Sequence, residues 1–144
     1  MQQLNLIEAS DAEAGATAVI EFDGGSTCNV PKWGYGNGYG SYRINGGEIK
    51  RVQFEPMSAN CGEISTLLCA LKEASQAGYK NVEIFGDSKI ALLRCHRASK
   101  QKKFSRTEMF LRLSSELLAI CRSSFQNVKT TWHPRSKSVE NFGH

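Results

Sequence analysis

The sequence predicts an α/β fold: a mixed five-stranded sheet flanked by helices, its elements in the order βββαβααβ. A nearly continuous apolar run from Ala16 to Asp23 has the character of a strand covered on both faces. A glycine-rich stretch follows, in which Asn45-Gly46-Gly47 marks a hairpin turn between two further strands. Beyond it, Ile64, Leu67, Leu68, Leu71 and Ala74 recur at helical spacing and lead into a second short apolar run, Asn81 to Gly86. A helix set between two such runs is the pattern of a crossover joining parallel strands, which hairpins cannot connect.

The first strand is read as ending at Asp23, where Asp-Gly-Gly-Ser opens a turn. The alternation of Tyr, Gly and Ser from Gly38 to Ile44 suits a second strand, and Glu48 to Phe54 returns as a third. The first helix is expected from about Gly62 to Gln76, with Gly78 as its stop. After Asn81–Gly86 a short helix, Ser88 to about His96, carries Ile90, Leu92 and Leu93. A longer one, Thr107 to Cys121, sets Phe110, Leu113, Leu117 and Ile120 on one face. Asn127 to Trp132 makes the last strand, and the residues after it are read as a tail.

The 144 residues suffice for one domain with a real core, and no apolar stretch approaches the length of a membrane span. Residues 1–15 carry acids without an early basic cluster, which fits a loosely held leader better than a targeting peptide. Five scattered cysteines, without a CxxC pair, read as packing residues of a cytosolic protein rather than as disulfides or a zinc site. The net charge of +4 is concentrated. From Arg94 to Arg106 the chain carries Arg94, Arg97, Lys100, Lys102, Lys103 and Arg106 with no acid, either a solvated loop or a grip for a polyanion.

Asp23 and Asp87 close the two apolar runs, and Glu63 lies in the first turn of the helix between them. In an open α/β sheet those places converge beyond the carboxyl ends of the strands, where ligands bind. Each acid has an ordinary alternative: Asp23 as a turn residue, Glu63 in a capping box with Asn60, Asp87 as the N-cap of the helix at Ser88. Together they predict a divalent metal site, because clustered carboxylates repel one another unless a cation lies between them.

These residues resemble the type 1 ribonuclease H family over nearly the whole chain. The family's first strand ends in Asp-Gly and a Ser-containing turn, as do Asp23, Gly24 and Ser26. Its second acid follows an Asn-containing loop at a helix start, similar to Asn60 and Glu63, and its third appears as Asp-Ser, like Asp87-Ser88. Trp132, Pro134 and Arg135 resemble its Trp-x-Pro after the last strand. The chain departs from the family at its end: a fourth acid is usual at the start of a final helix, beyond an Asn. Here Asn141 is followed by Phe142, Gly143 and His144, and neither an acid nor a final helix is expected. The mobile His of many members has no clear match, with Ser136 near its position and His133 displaced toward the strand.

The resemblance implies hydrolysis of the RNA strand of an RNA–DNA hybrid by a monomer using two divalent ions, Mg²⁺ or Mn²⁺. Asp23 would bridge both ions, Glu63 and Asp87 would hold one and orient the attacking water, and His144 would stand in for the fourth acid. Imidazole there favours Mn²⁺ over Mg²⁺, and a terminal carboxylate at His144 would offer one more oxygen. Backbone groups of Gly24, Gly25 and Ser26, with Asn60 and Glu63, would meet 2′-hydroxyls in the minor groove, and Ser88 would also contact the nucleic acid. Arg94, Arg97, Lys100, Lys102, Lys103 and Arg135 would grip phosphates. A junction resolvase would also use converging acids but would need a dimer, and a decayed nucleic-acid-binding domain would bind metal without turnover. A proofreading-type exonuclease needs an acid two residues after Asp23, where Gly25 stands.

Overall fold

A computed structural model describes residues 15–28, 34–99 and 108–143. Its centre is one five-stranded sheet: β1 (Thr17–Ser26), β2 (Asn37–Ile44), β3 (Lys50–Pro56), β4 (Asn81–Gly86) and β5 (Asn127–Trp132), in the spatial order β3-β2-β1-β4-β5. β1, β2 and β3 form an antiparallel meander, whereas β4 runs parallel to β1 and β5 parallel to β4. The mixed sheet and the predicted element order up to β5 are therefore observed. Asn45 and Gly46 both adopt positive φ, 54° and 69°, as the predicted hairpin turn requires.

The first helix, α1 (Ala59–Gln76), crosses one face of the sheet. Its Ile64, Leu67, Leu71 and Ala74 form a single buried cluster with Ala18, Ile20 and Phe22 of β1 and Val82 and Ile84 of β4. Burying each of the larger side chains contributes about 1.5–3 kcal/mol. α2 (Lys89–Arg94) is short, and α3 (Glu108–Ser124) packs against α1, adding Phe110, Leu113 and Leu117 to the core. Among the described residues no helix is long and apolar enough to cross a membrane.

Several boundaries correct the sequence reading. β1 does not turn at Asp23 but continues through Gly24, Gly25 and Ser26, because the glycine-rich β2 keeps pairing with it as far as Ser26↔Gly38. β3 starts two residues later than expected, and α1 starts three residues earlier. The largest correction is at the end of the chain. Residues read as a tail form a final helix, α4 (Arg135–Phe142), with Ser138 and Phe142 buried, so the order is βββαβααβα. Pro134 precedes its first turn with φ already near helical values, and tertiary contacts supply what its polar sequence lacks.

Candidate metal centre

The sheet register delivers two of the acids. Parallel pairing of β1 with β4 ends at Glu21↔Phe85. Two residues further along each chain stand Asp23 and Asp87, side by side beyond the paired region. Glu63 reaches them because α1 sits very close to β1. A Cβ added to Gly24 would lie 2.8 Å from the Gly62 carbonyl oxygen and 2.9 Å from Glu63 Cα, and one added to Gly62 would lie 2.1 Å from Gly25 O. Only glycines at 24 and 62 allow that approach.

None of the three acids is occupied by the structural role open to it. Asp23 is in a strand, opposite Ser41 of β2, rather than in a turn. α1 is capped by Ser58, whose Oγ accepts from Cys61 N at 3.3 Å, so Asn60 and Glu63 form no capping box. α2 is capped by Ser88, whose Oγ accepts from Ala91 N at 3.1 Å, which releases Asp87. One carboxylate oxygen from each of Asp23, Glu63 and Asp87 lies within 4.8 Å of the others.

Electrostatics follow from that proximity. Asp23, only 2% exposed, is pushed up to about 6, first by desolvation and then by the charge of Asp87. Glu63 is pushed up to about 7 by desolvation, against a hydrogen bond from Ser88 that lowers it, with Asp87 and Asp23 adding repulsion. Arg135, at the head of α4, offsets part of this for both acids. Its Nη1 is 4.0 Å from Asp87 Oδ2, a buried oxygen that accepts no hydrogen bond. At 68% side-chain exposure the guanidinium is too solvated and too distant to neutralise the group. An all-carboxylate donor set, partly dehydrated and short of positive charge, fits a hard divalent cation.

A family model described as reverse transcriptase-like matches residues 47–140, more than half of the chain and including Glu63, Asp87 and Arg135. The chain belongs to the reverse transcriptase-like family. Its fold is that of type 1 ribonuclease H, in agreement with the resemblance read from the sequence. Ribonuclease H1 of Halobacterium salinarum NRC-1 superposes with a TM-score of 0.67 at 20% identity, over 85% of this chain and 89% of that one. The N-terminal ribonuclease H domain of a Mycobacterium tuberculosis protein gives 0.68 at 20% identity, over 88% of each chain. LC11 ribonuclease H1, solved in complex with an RNA/DNA hybrid, gives 0.68 at 18% identity, over 85% of this chain and 89% of that one. No curated protein matches the sequence.

In this family member the other residues singled out from sequence fare unevenly. Gly24 and Gly25 are buried, Gly24 beneath α1 and Gly25 against Tyr39. The Ser26 hydroxyl is engaged in its own loop, 2.8 Å from Cys28 O and 3.1 Å from Gly36 O. Ser88 is likewise buried and committed, capping α2 while hydrogen-bonding Glu63. Asn60 is half-buried in the first turn of α1, and Arg94 is half-buried at the end of α2. Arg97 and Arg135 are exposed. Lys100, Lys102, Lys103 and His144 lie outside the described residues.

Two features were not anticipated. Trp132 Nε1–H donates to the Asp87 carbonyl at 3.0 Å, with Lys89 Nζ 5.0 Å over its ring, so the residue after β4 is tied to the end of β5. The C-terminal end of α4 is clamped to the sheet. Arg43 pairs with Glu21, Asn141 Nδ2 donates to the same carboxylate at 3.1 Å, and Arg51 Nη2 donates to Phe142 O at 3.3 Å. Asn141 carried the signal, since it was the point at which the chain left the family pattern. His133 is half-buried, with Nε2 3.1 Å from Ser138 Oγ of α4, and so belongs to the packing of that helix.

Proposed function

We propose that the protein is a metal-dependent endonuclease that hydrolyses the RNA strand of RNA–DNA hybrids. The observation that carries this reading is the convergence of Asp23, Glu63 and Asp87 within 4.8 Å on the carboxyl edge of a ribonuclease H sheet. Family membership and the hybrid bound by the LC11 enzyme support the substrate class. Asp23, Glu63 and Asp87 would hold two divalent ions, Mg²⁺ or Mn²⁺. When bound, such ions neutralise phosphate charge and make water a usable nucleophile near neutral pH.

The chain's own groups perform the rest. Asp23 is fixed by the sheet and Glu63 by Ser88, so the two carboxylates are presented without reorganisation. Their raised values mean that both must lose protons before a cation is held, which sets activity to rise with pH through 6 to 7. Trp132 anchors the backbone of Asp87. Arg135, exposed beside the acids, is suited to a phosphate oxygen of the substrate, and Arg94, Arg97, Lys100, Lys102 and Lys103 extend the cationic path. Asn60 remains the candidate for minor-groove contact in the first turn of α1. We further propose His144 as the fourth ligand. Arg51 bridges Ser41 Oγ, at 2.9 Å, and Phe142 O, at 3.3 Å, and Ser41 is the cross-strand partner of Asp23. Phe142, two residues before His144, is thus tied through Arg51 to the strand pair that carries Asp23.

The test is cleavage of a labelled RNA–DNA hybrid beside double-stranded DNA, double-stranded RNA and a four-way junction, with Mg²⁺ and with Mn²⁺. Cleavage confined to the RNA strand of the hybrid is expected, reduced at least about 100-fold in Asp87→Asn and markedly in His144→Ala. Junction cleavage would move the protein to the resolvases, and hybrid binding without cleavage would make it a binding domain.

A further inference from the structure

All five cysteines are free thiols, and two of them meet. Cys95 caps the C-terminal end of α2, and Cys121 lies in the last turn of α3. They are 3% and 4% exposed, and their thiols share a hydrogen bond. Cys95 Sγ also donates to Ala91 O at 3.6 Å. Both cysteines line a shallow pocket of about 300 Å³ whose wall includes His96, Arg122 and Gln126, all exposed. Packing alone accounts for a buried cysteine, but not for two thiols in contact at the floor of a surface pocket with a guanidinium at its rim.

We propose that Cys95 and Cys121 are an oxidisable dithiol, a modification site at which a low-molecular-weight disulfide such as oxidised glutathione forms an intramolecular Cys95–Cys121 bond. The thiolate of one cysteine attacks a sulfur of the small disulfide, whose S–S bond breaks and releases one thiol. The second protein thiolate then attacks the mixed disulfide and releases the other thiol. The protein loses two hydrogens and two electrons, and the small disulfide gains both. Forming the bond requires the end of α2, a six-residue helix followed by exposed His96 and Arg97, to shift by the small distance that separates thiol contact from an S–S bond of about 2 Å. The hydrogen bond with Cys121 and burial together hold the Cys95 thiol far above its ordinary value, so Cys95 is slow to ionise at neutral pH and its reaction quickens as pH rises. The bond closes His96 to Ile120, which contains most of the basic segment, into a loop. It thereby ties the base of that segment to α3 and restricts the unfolded chain.

The test incubates the full, natively folded chain with oxidised glutathione at pH 8.5, followed by intact mass, peptide mapping and thermal melting. A loss of about 2 Da, a mapped Cys95–Cys121 peptide and a midpoint raised by roughly 5 °C or more are expected. Cys95→Ser and Cys121→Ser should each abolish the cross-link, and Cys28→Ser should leave it intact. A protein whose pair oxidises only in urea, a cross-link mapped to Cys28, Cys61 or Cys69, or a lowered midpoint after oxidation would overturn the proposal.

Discussion

Asp23 shows what the fold does to a single acid. It is almost completely buried, next to another carboxylate, and holds its proton up to about pH 6. The folded value lies above the unfolded one, so the native state binds more protons between roughly pH 4 and pH 6. In the metal-free protein, stability therefore falls as pH rises through that window, and the loss is complete above it. Asp23→Asn removes the penalty. Metal-free unfolding at pH 8 should cost on the order of 2 kcal/mol more in the variant than in the wild type, with the difference gone at pH 4, as denaturant titration would read. Gly62→Ala should act oppositely: its Cβ meets the Gly25 backbone, which cannot swing aside, so a loss of about 1–3 kcal/mol and a displaced Glu63 are expected. The acids were legible in the sequence because strand and helix termini are themselves legible. The hydrogen bond from Ser88 to Glu63 was not, because it depends on how α1 and the start of α2 meet, and nothing local to Ser88 distinguishes it from an ordinary cap.

At the scale of elements, β4 lies where an apolar run placed it, since a buried strand announces itself by composition, while β5 has its expected bounds although none of its residues is fully buried. α4 was missed for a physical reason. Of its eight residues only Val139 and Phe142 are apolar, and Val139 is exposed, so no amphipathic stripe exists to be read. The helix is held instead by distant residues: Glu21, Arg43 and Arg51 reach it from the sheet, and Phe142 is buried beneath Arg43. Pro134 and Gly143 were its only local marks, a start and a stop of the usual asymmetry. Phe142→Ala should cost about 3 kcal/mol. Arg51→Ala should speed hydrogen exchange in α4 while leaving β1 and β4 protected, and hybrid cleavage should drop in both variants, because Arg135 is carried by that helix.

On the scale of the whole molecule, an acidic centre stands at the carboxyl edge of the sheet, and along the sequence a cationic stretch begins at the end of α2. That division suits a polyanion that must be held by its phosphates while one of them meets cations at the acids. Hybrid affinity should fall steeply with salt, and Arg97→Ala should lower the slope of log affinity against log salt by about 0.9 if its phosphate contact is made. The central claim is that the three acids form a divalent-cation site. The most direct measurement is calorimetric titration of Mn²⁺ into the wild type and Asp87→Asn at pH 8 and pH 5.5. Binding by the wild type at pH 8, weaker at pH 5.5 where Asp23 and Glu63 hold protons, and lost in the variant, is the predicted result. Absence of binding at pH 8, or equal binding by Asp87→Asn, would contradict it.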